Sequence, residues 1–153
     1  MSIVALSELL GAAVRDSSGS VRGRVREVAV APQEHPTRIA FVVVRTADGD
    51  RVLPAQGIVS TGVAVKASSE SAHWERFGNA DGVLLLKRDL LDQQIIDVHG
   101  RKVVRVNDVE LYSNPVNSHI ALDVLAVDVG ARGAVRRLAK GLVPSFTLRA
   151  LLE

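Results

Sequence analysis

The sequence contains no cysteine and few aromatic residues. Without cysteine, the chain has no disulfide scaffold, no thiolate metal site and no cysteine nucleophile, which fits a reducing compartment. Aromatic residues make up only 3% of the chain, so the core has to be built from valine, leucine, isoleucine and alanine. This composition favours strands, because β-branched side chains fit a pleated, half-buried surface.

Long hydrophobic runs are also missing. Residues Met1–Glu8 have no basic region followed by a long apolar run, so they do not form a signal peptide. The longest dense apolar stretch, Ile39–Val44, is far short of the roughly 18 residues that span a bilayer. Apolar residues make up 47% and charged residues 24%, as in ordinary globular proteins. We expect a cytoplasmic protein, with membrane association through missing C-terminal segments as a further option.

The chain contains an internal repeat. When residues 9–43 are set over 90–124 without a gap, ten positions are identical, against roughly two expected by chance from average composition. A period this long indicates duplicated small domains rather than a solenoid. The identical pairs are Leu9/Leu90, Leu10/Leu91, Asp16/Asp97, Gly19/Gly100, Arg24/Arg105, Val25/Val106, Val28/Val109, Ile39/Ile120, Ala40/Ala121 and Val43/Val124.

Each copy has an Asp-x-x-Gly turn after its first short strand. Asp16 and Gly19 form this pattern in the first copy, and Asp97 and Gly100 form it in the second. The aspartate can accept hydrogen bonds from nearby backbone N–H groups, and the glycine relieves a left-handed conformation. We therefore assign all four residues to structural turns rather than to catalysis.

The strand after each turn changes the face on which its apolar residues lie. Val25 has one parity and Val28 the other, and the second copy repeats the change. Because side chains alternate with a period of two, such a change requires an extra residue. The sequence therefore predicts a β-bulge near Arg26–Glu27 and another near Asn107–Asp108.

The predicted fold is mainly β, with two small antiparallel β-barrels in tandem and a short C-terminal helix. Five or six short strands within about 65 residues favour closure into a barrel. The second copy lacks a closing hairpin, and residues Ala134–Lys140 instead have a helical apolar face. The predicted divisions are a first domain (1–67), a linker (68–82) and a second domain with a tail (83–153).

The apolar positions of the repeat predict the core of each copy. In the first copy they are Leu9, Leu10, Val14, Val25, Val28, Ile39, Phe41 and Val43, and in the second they are Leu90, Leu91, Ile95, Val106, Val109, Ile120, Leu122 and Val124.

The linker contains two aromatic residues, Trp74 and Phe77. We expect them to anchor a barrel edge or the seam between the domains, with ligand stacking as the alternative. The open edge of the second copy also needs cover. The first barrel, the tail helix or a second chain would supply it, and the last option makes the protein a homodimer.

The second copy resembles PRC-barrel domains over its run Leu84–Val109. It is similar to the tandem PRC-barrel segment at the N-terminus of bacterial magnesium-transporter-like proteins of the MgtE type. The first copy, from Leu10–Asp16 through Phe41–Arg45, matches the general pattern of an apolar-Gly opening, an Asp-x-x-Gly turn and an apolar third strand. The resemblance covers roughly residues 6–140.

The resemblance implies a docking or regulatory module that does no covalent chemistry. In the transporter-like family, such a segment precedes an acidic helical domain, paired CBS domains and membrane spans, so we expect this chain to be part of a longer protein. The alternatives are an RNA- or ribosome-associated assembly factor, as in the ribosome maturation factor RimM, and a scaffold of a membrane complex, as in the photosynthetic reaction centre H subunit.

No pattern in the sequence predicts a catalytic, metal or cofactor site. The acidic residues of the second copy lack a spacing that gathers three on one surface for Mg²⁺, and the histidines lack the spacing of a helical metal pair. We therefore expect no enzymatic activity, no metal and no cofactor. The acidic residues are Asp89, Asp92, Asp97, Asp108 and Glu110, and the histidines are His35, His73, His99 and His119.

The positive charge of the chain is concentrated in its C-terminal tail. The whole chain carries +2, whereas residues 129–153 alone carry +4. This tail would lie on an anionic membrane surface, contact RNA phosphates, or present a solvated face while its apolar residues pack on the second barrel. We favour the last interpretation and expect no nucleic-acid partner. The tail residues of this candidate interaction surface are Arg132, Arg136, Arg137 and Lys140.

Overall fold

The computed structural model describes residues 2–97, 102–129 and 135–137, and it is mainly β. Two single-turn helices, α1 (Leu6–Leu9) and α2 (Leu86–Asp89), each follow a short strand. Short 3-10 turns lie at Ala55–Gly57 and Ser71–His73. The strands are β1 (Ser2–Ala5), β2 (Ala13–Arg15), β3 (Val21–Val30), β4 (Ile39–Thr46), β5 (Gly49–Pro54), β6 (Ile58–Ser60), β7 (Val65–Ala67), β8 (Glu75–Arg76), β9 (Leu84–Leu85), β10 (Gln94–Asp97), β11 (Lys102–Arg105), β12 (Asp108–Val116), β13 (His119–Asp128) and β14 (Val135–Arg137).

The strands form two large sheets and one hairpin. The first sheet has the order β6-β7-β2-β3-β4-β5-β8, with β9 also paired to β3. The second has the order β1-β12-β13-β14, and β10 pairs with β11. All neighbours are antiparallel except β2 and β7, which are parallel. Within the described residues neither sheet closes on itself, so the two predicted barrels are not seen.

The two halves of the chain exchange strands. Strand β1 begins the chain but pairs with β12 of the second half, where Val4 lies opposite Leu111. Strand β9 opens the second half but pairs with β3 of the first, where Leu84 lies opposite Val30. Each exchanged strand runs directly into the single-turn helix that follows it. Each half therefore completes the sheet of the other.

One continuous hydrophobic cluster joins the two halves. It runs from Leu6 and Val14 in the first half to Leu111 and Val127 in the second, and Trp74 belongs to it. The halves therefore share a core instead of burying their apolar residues separately.

Strand β4 presents a different face to this cluster from the one predicted. Val42 and Val44 lie in the cluster, and alternate side chains of a strand point to opposite faces. Val43 is consequently buried on the other face of the strand, and Phe41 is only half-buried. Phe41 is thus not the core residue that the pattern predicted, whereas Val43 is fully buried and Ile39 belongs to the cluster. A second register shift against β3 separates Ile39 from Phe41, so the two do not share a face.

The predicted bulge in the first copy is confirmed. The register of β3 against β4 shifts between Val25 and Glu27, so Arg26 is the extra residue. In the second copy the same region is interrupted instead, because β11 ends at Arg105 and β12 begins at Asp108. Both solutions let apolar residues on either side of the irregularity face the core.

The predicted C-terminal helix is wrong where the structure describes it. Residues Val135–Arg137 form β14, which pairs antiparallel with residues Ala126–Asp128 of β13. The helical side-chain pattern is local, whereas the edge of β13 carries backbone N–H and C=O groups that require partners. Pairing with that edge outweighs the local pattern. The remaining residues of the predicted helix lie outside the described part of the chain.

The predicted linker contributes to the first sheet. Strand β8 pairs with β5, and the N–H of Phe77 donates to the carbonyl of Asp50 at 3.0 Å. Whether residues 1–67 and 83–153 fold as independent domains stays a prediction.

Candidate functional site

Glu27 lies at the bulge of β3 and fastens the start of α2. Glu27 is only 6% exposed. One carboxylate oxygen accepts from the backbone N–H of Lys87 at 2.8 Å and of Val28 at 3.0 Å, and the other accepts from the N–H of Arg88 at 2.9 Å. The first N–H groups of a helix have no partner within it, so this carboxylate satisfies two donors that α2 itself leaves unpaired.

Asp108, in the second half, makes the corresponding contact with α1 of the first half. Its carboxylate accepts from the backbone N–H of Ser7 at 3.1 Å and from the Ser7 hydroxyl. It also accepts from the N–H of Val109 at 2.8 Å. The bulge-region carboxylate of each half therefore binds the helical turn of the other. Glu27 and Asp108 are aligned with each other in the sequence, but the alignment alone does not reveal that each contacts the other half.

Asp16 organises the hairpin between β2 and β3. Its carboxylate accepts from the N–H of Ser18 at 3.0 Å, from Arg22 Nε at 3.0 Å and from the N–H of Ser71 at 3.1 Å. The N–H of Gly19 donates to the Asp16 carbonyl at 2.9 Å, and Gly19 has φ of +86°. The hydrogen bond from the Ser18 hydroxyl, followed by that from the Ser71 N–H, holds the pKa of Asp16 well below its usual range.

A third connection between the halves lies beside the loop that precedes β4. Arg38 forms an ion pair with Asp123, with Nε and Oδ1 3.3 Å apart. The N–H of Val124 donates to the carbonyl of Thr37 at 2.8 Å. His35 shapes this loop, because its Nδ1 accepts from the N–H groups of Thr37 at 3.2 Å and Arg38 at 3.0 Å. The ring proton of His35 therefore lies on Nε2.

A small cleft opens at this seam. It has a volume of about 180 Å³, and its lining includes His35, Arg38, Gln56 and His119. Ligand pockets usually have volumes of about 300–1,000 Å³, so this cleft is too small for an ordinary ligand. The contacts around it support a structural seam between the halves.

The two aromatic residues of the predicted interaction surface pack on the first sheet. Trp74 is only 4% exposed, and its Nε1 donates to Ser69 Oγ at 3.0 Å. The rings of Phe77 and Phe41 are 6.2 Å apart between centroids and tilted by 50°. This packing favours the anchoring interpretation for both residues.

Most of the other predicted residues lie outside the described side chains. Asp97, Arg136 and Arg137 have described backbones in β10 and β14. Gly100, Arg132 and Lys140, with His99, fall outside the described residues altogether. The basic tail as a membrane or RNA surface therefore stays a prediction.

The described residues contain no group of three or more histidine, aspartate or glutamate side chains that would hold a metal ion. In the same part of the chain, no helix is long and apolar enough to cross a membrane. Comparison of the sequence with protein-family models gave no match, and comparison with curated proteins found no relative.

Proposed function

We propose that this chain is a non-catalytic interaction and regulatory module of the PRC-barrel kind. In this proposal it forms the cytoplasmic N-terminal part of a magnesium-transporter-like membrane protein. The family assignment rests on the sequence resemblance of residues 84–109 and 10–45. The non-catalytic role is supported by one structural observation, the engagement of the bulge carboxylates by backbone N–H groups of the opposite half.

A carboxylate that acts as a general acid or base has to reach its substrate within hydrogen-bond distance. The carboxylate of Glu27 is buried and already accepts three backbone hydrogen bonds. Asp108 accepts from two groups of Ser7. These acids are consequently suited to holding the two halves together rather than to proton transfer.

The edge strand β1 supports a docking role. Among the described residues it lies at the end of the second sheet, and its Ile3 is 57% exposed. An edge strand presents backbone N–H and C=O groups that can pair with a strand of another chain. In this proposal a protein partner, the remainder of a transporter chain or a second copy docks at this edge.

The test is the mass and location of the native protein that carries this segment. An antibody raised against the chain would be used to recover it from its source cells after separation of membranes from soluble material. We expect a membrane-associated species several times heavier than the 16.3 kDa of this chain. A species near that mass in the soluble fraction would contradict the transporter proposal.

The same preparation distinguishes the main alternative. A light species that sediments with ribosomes, and loses that sedimentation after ribonuclease treatment, would favour the RNA- or ribosome-associated assembly factor.

A further inference from the structure

A second cleft lies on the outer face of the first sheet and is lined by four basic side chains. Its volume is about 380 Å³, and it is open to solvent. The cations come from β3, β4 and α2, and two apolar residues contribute to the wall. These residues are Arg24, Arg26, Arg45, Lys87, Leu10 and Val25. We call this feature the basic cleft.

The cations of the basic cleft are poorly neutralised by the carboxylates around them. Arg24 and Arg45 lie directly opposite each other on β3 and β4, and like charges in that arrangement are destabilising. Asp50 lies opposite Arg45 on β5, but its carboxylate binds Arg26 at 2.6 Å. The carboxylate of Glu27 is used by backbone N–H groups. Asp50 is therefore the only one of these two carboxylates that neutralises an arginine of the cleft, and the cleft contains three arginines.

Two of the four cations have no partner within the described part of the chain. Arg45 and Lys87 are exposed, and neither side chain has a hydrogen bond or an ion pair among the described residues. The Arg24 side chain, by contrast, is held at the cleft, because its Nη1 donates to the carbonyl of Gly11 at 2.9 Å. The cleft thus combines a positioned guanidinium group with cations that are open to an incoming anion.

The second half of the chain shows that the backbone does not require these cations. The N–H of Gly11 donates to the carbonyl of Val25 at 2.7 Å, and at the aligned positions the N–H of Asp92 donates to the carbonyl of Val106 at 2.9 Å. The N–H of Val25 and that of Val106 also make matching bonds, at 2.9 Å and 3.0 Å. The local backbone contacts are thus the same in both halves.

The side chains at the corresponding positions are different. Arg105 corresponds to Arg24, but the other three cations have neutral counterparts in the alignment. The counterparts of Arg26, Arg45 and Lys87 are Asn107, Ala126 and Leu6. The cluster of four cations therefore occurs at only one of the two equivalent places in the chain, and the pairing of Arg24 with Arg45 carries an electrostatic cost that the backbone contacts do not require.

We propose that the basic cleft binds a small anion with two or more phosphate groups, such as a nucleoside diphosphate. Guanidinium groups match phosphate oxygens with paired hydrogen bonds, and a lysine adds a point charge. Several converging cations suit a multivalent anion better than a single carboxylate. Binding would also relieve the repulsion between Arg24 and Arg45. This site goes beyond the proposed function and does not depend on it.

The test is calorimetric titration of the full chain with inorganic pyrophosphate and with adenosine diphosphate. The Arg45→Gln variant should weaken binding about tenfold or more, the loss expected for one charge-assisted hydrogen bond. The matched control is Arg105→Gln, which removes the aligned arginine of the second half and should leave the affinity unchanged. Absence of binding at millimolar anion, or equal weakening by both variants, would overturn the proposal.

A second measurement separates binding from folding. In the absence of anion, Arg45→Gln should be at least as resistant to urea as the unaltered chain, because the substitution removes a like-charge pair. A clear loss of stability would contradict the account of the cleft. Lys87→Gln should weaken pyrophosphate binding in the same way, since it removes the other exposed cation.

Parallel titrations identify the source of the phosphate groups. One uses vesicles of phosphatidylcholine mixed with the anionic lipid phosphatidylglycerol, and another uses a single-stranded RNA. Binding to vesicles or RNA without binding to pyrophosphate would overturn a small-anion site.

Discussion

The buried carboxylate of Glu27 accepts three backbone hydrogen bonds, two of them from α2 in the other half of the chain. A buried donor that loses its acceptor costs about 1–3 kcal/mol. Because the donors on α2, Lys87 and Arg88, are far from Glu27 in sequence, one side chain couples distant parts of the chain. At this scale, single carboxylates contribute directly to the contacts between the halves.

Replacing Glu27 with glutamine should destabilise the protein by about 1–3 kcal/mol. A glutamine offers one acceptor oxygen, so in either amide orientation the N–H of Lys87 or of Arg88 faces an NH₂ group. Urea unfolding measures the change, and Glu75→Gln at an exposed position of β8 is the control. A loss no larger than that of the control would show that the hydrogen bonds from α2 contribute little.

The depressed pKa of Asp16 predicts a pH dependence of stability. Since the folded pKa lies below the unfolded value of about 4, the contribution is fully present above that value. It decreases as the pH falls from about 4 toward the folded pKa. The free energy of unfolding in urea should therefore differ less between the unaltered chain and Asp16→Asn as the pH decreases from 6 to 2.5. An unchanged difference across this range would contradict the assignment.

At the residue scale, the contacts between neighbours in sequence could be predicted, and those between distant residues could not. The Asp-x-x-Gly pattern indicates the turn at Asp16 because its partners, Ser18 and Gly19, are neighbours in sequence. The bond from Ser71 depends on how the segment before β8 packs, and no local pattern encodes it. Glu27 was placed at a bulge, but its partners on α2 follow only from the strand exchange.

At the scale of elements, the alternation of apolar residues along a strand predicted the structure best. The change of face between Val25 and Val28 predicts the bulge at Arg26, which the register of β3 and β4 confirms. The pattern of Ala134–Lys140 was misleading, because the backbone edge of β13 provides partners that a local helical pattern does not reveal. The strand exchange was equally invisible, since β1 and β9 are short and pair across the two halves.

The pairing of β3 with β4 depends on the absence of a side chain at Gly23. A β-carbon there would lie 2.1 Å from the carbonyl oxygen of Arg45, so Gly23→Ala requires the strands to move apart. We expect a loss of about 1–3 kcal/mol in urea unfolding, as for other overpacked sites. Gly62→Ala is the control, because no atom lies within 4 Å of its added carbon. Equal stability of the two variants would refute the close approach.

At the scale of the whole molecule, the two halves form one interlocked unit. Each half receives a strand from the other, through β1 and β9, and each receives a carboxylate contact, from Glu27 and Asp108. One hydrophobic cluster spans both. The similarity of the two sequence segments predicts two separate domains, whereas these reciprocal contacts predict that the two halves unfold together.

The most direct test of this account is urea unfolding followed at both halves of the same chain. Fluorescence of Trp74, the only tryptophan, reports on the first half, and hydrogen exchange of peptides from β12 and β13 reports on the second. The account predicts one shared midpoint, and it predicts that Asp108→Asn lowers the midpoint of both signals equally. Two separate midpoints, or a response to Asp108→Asn confined to one half, would contradict it.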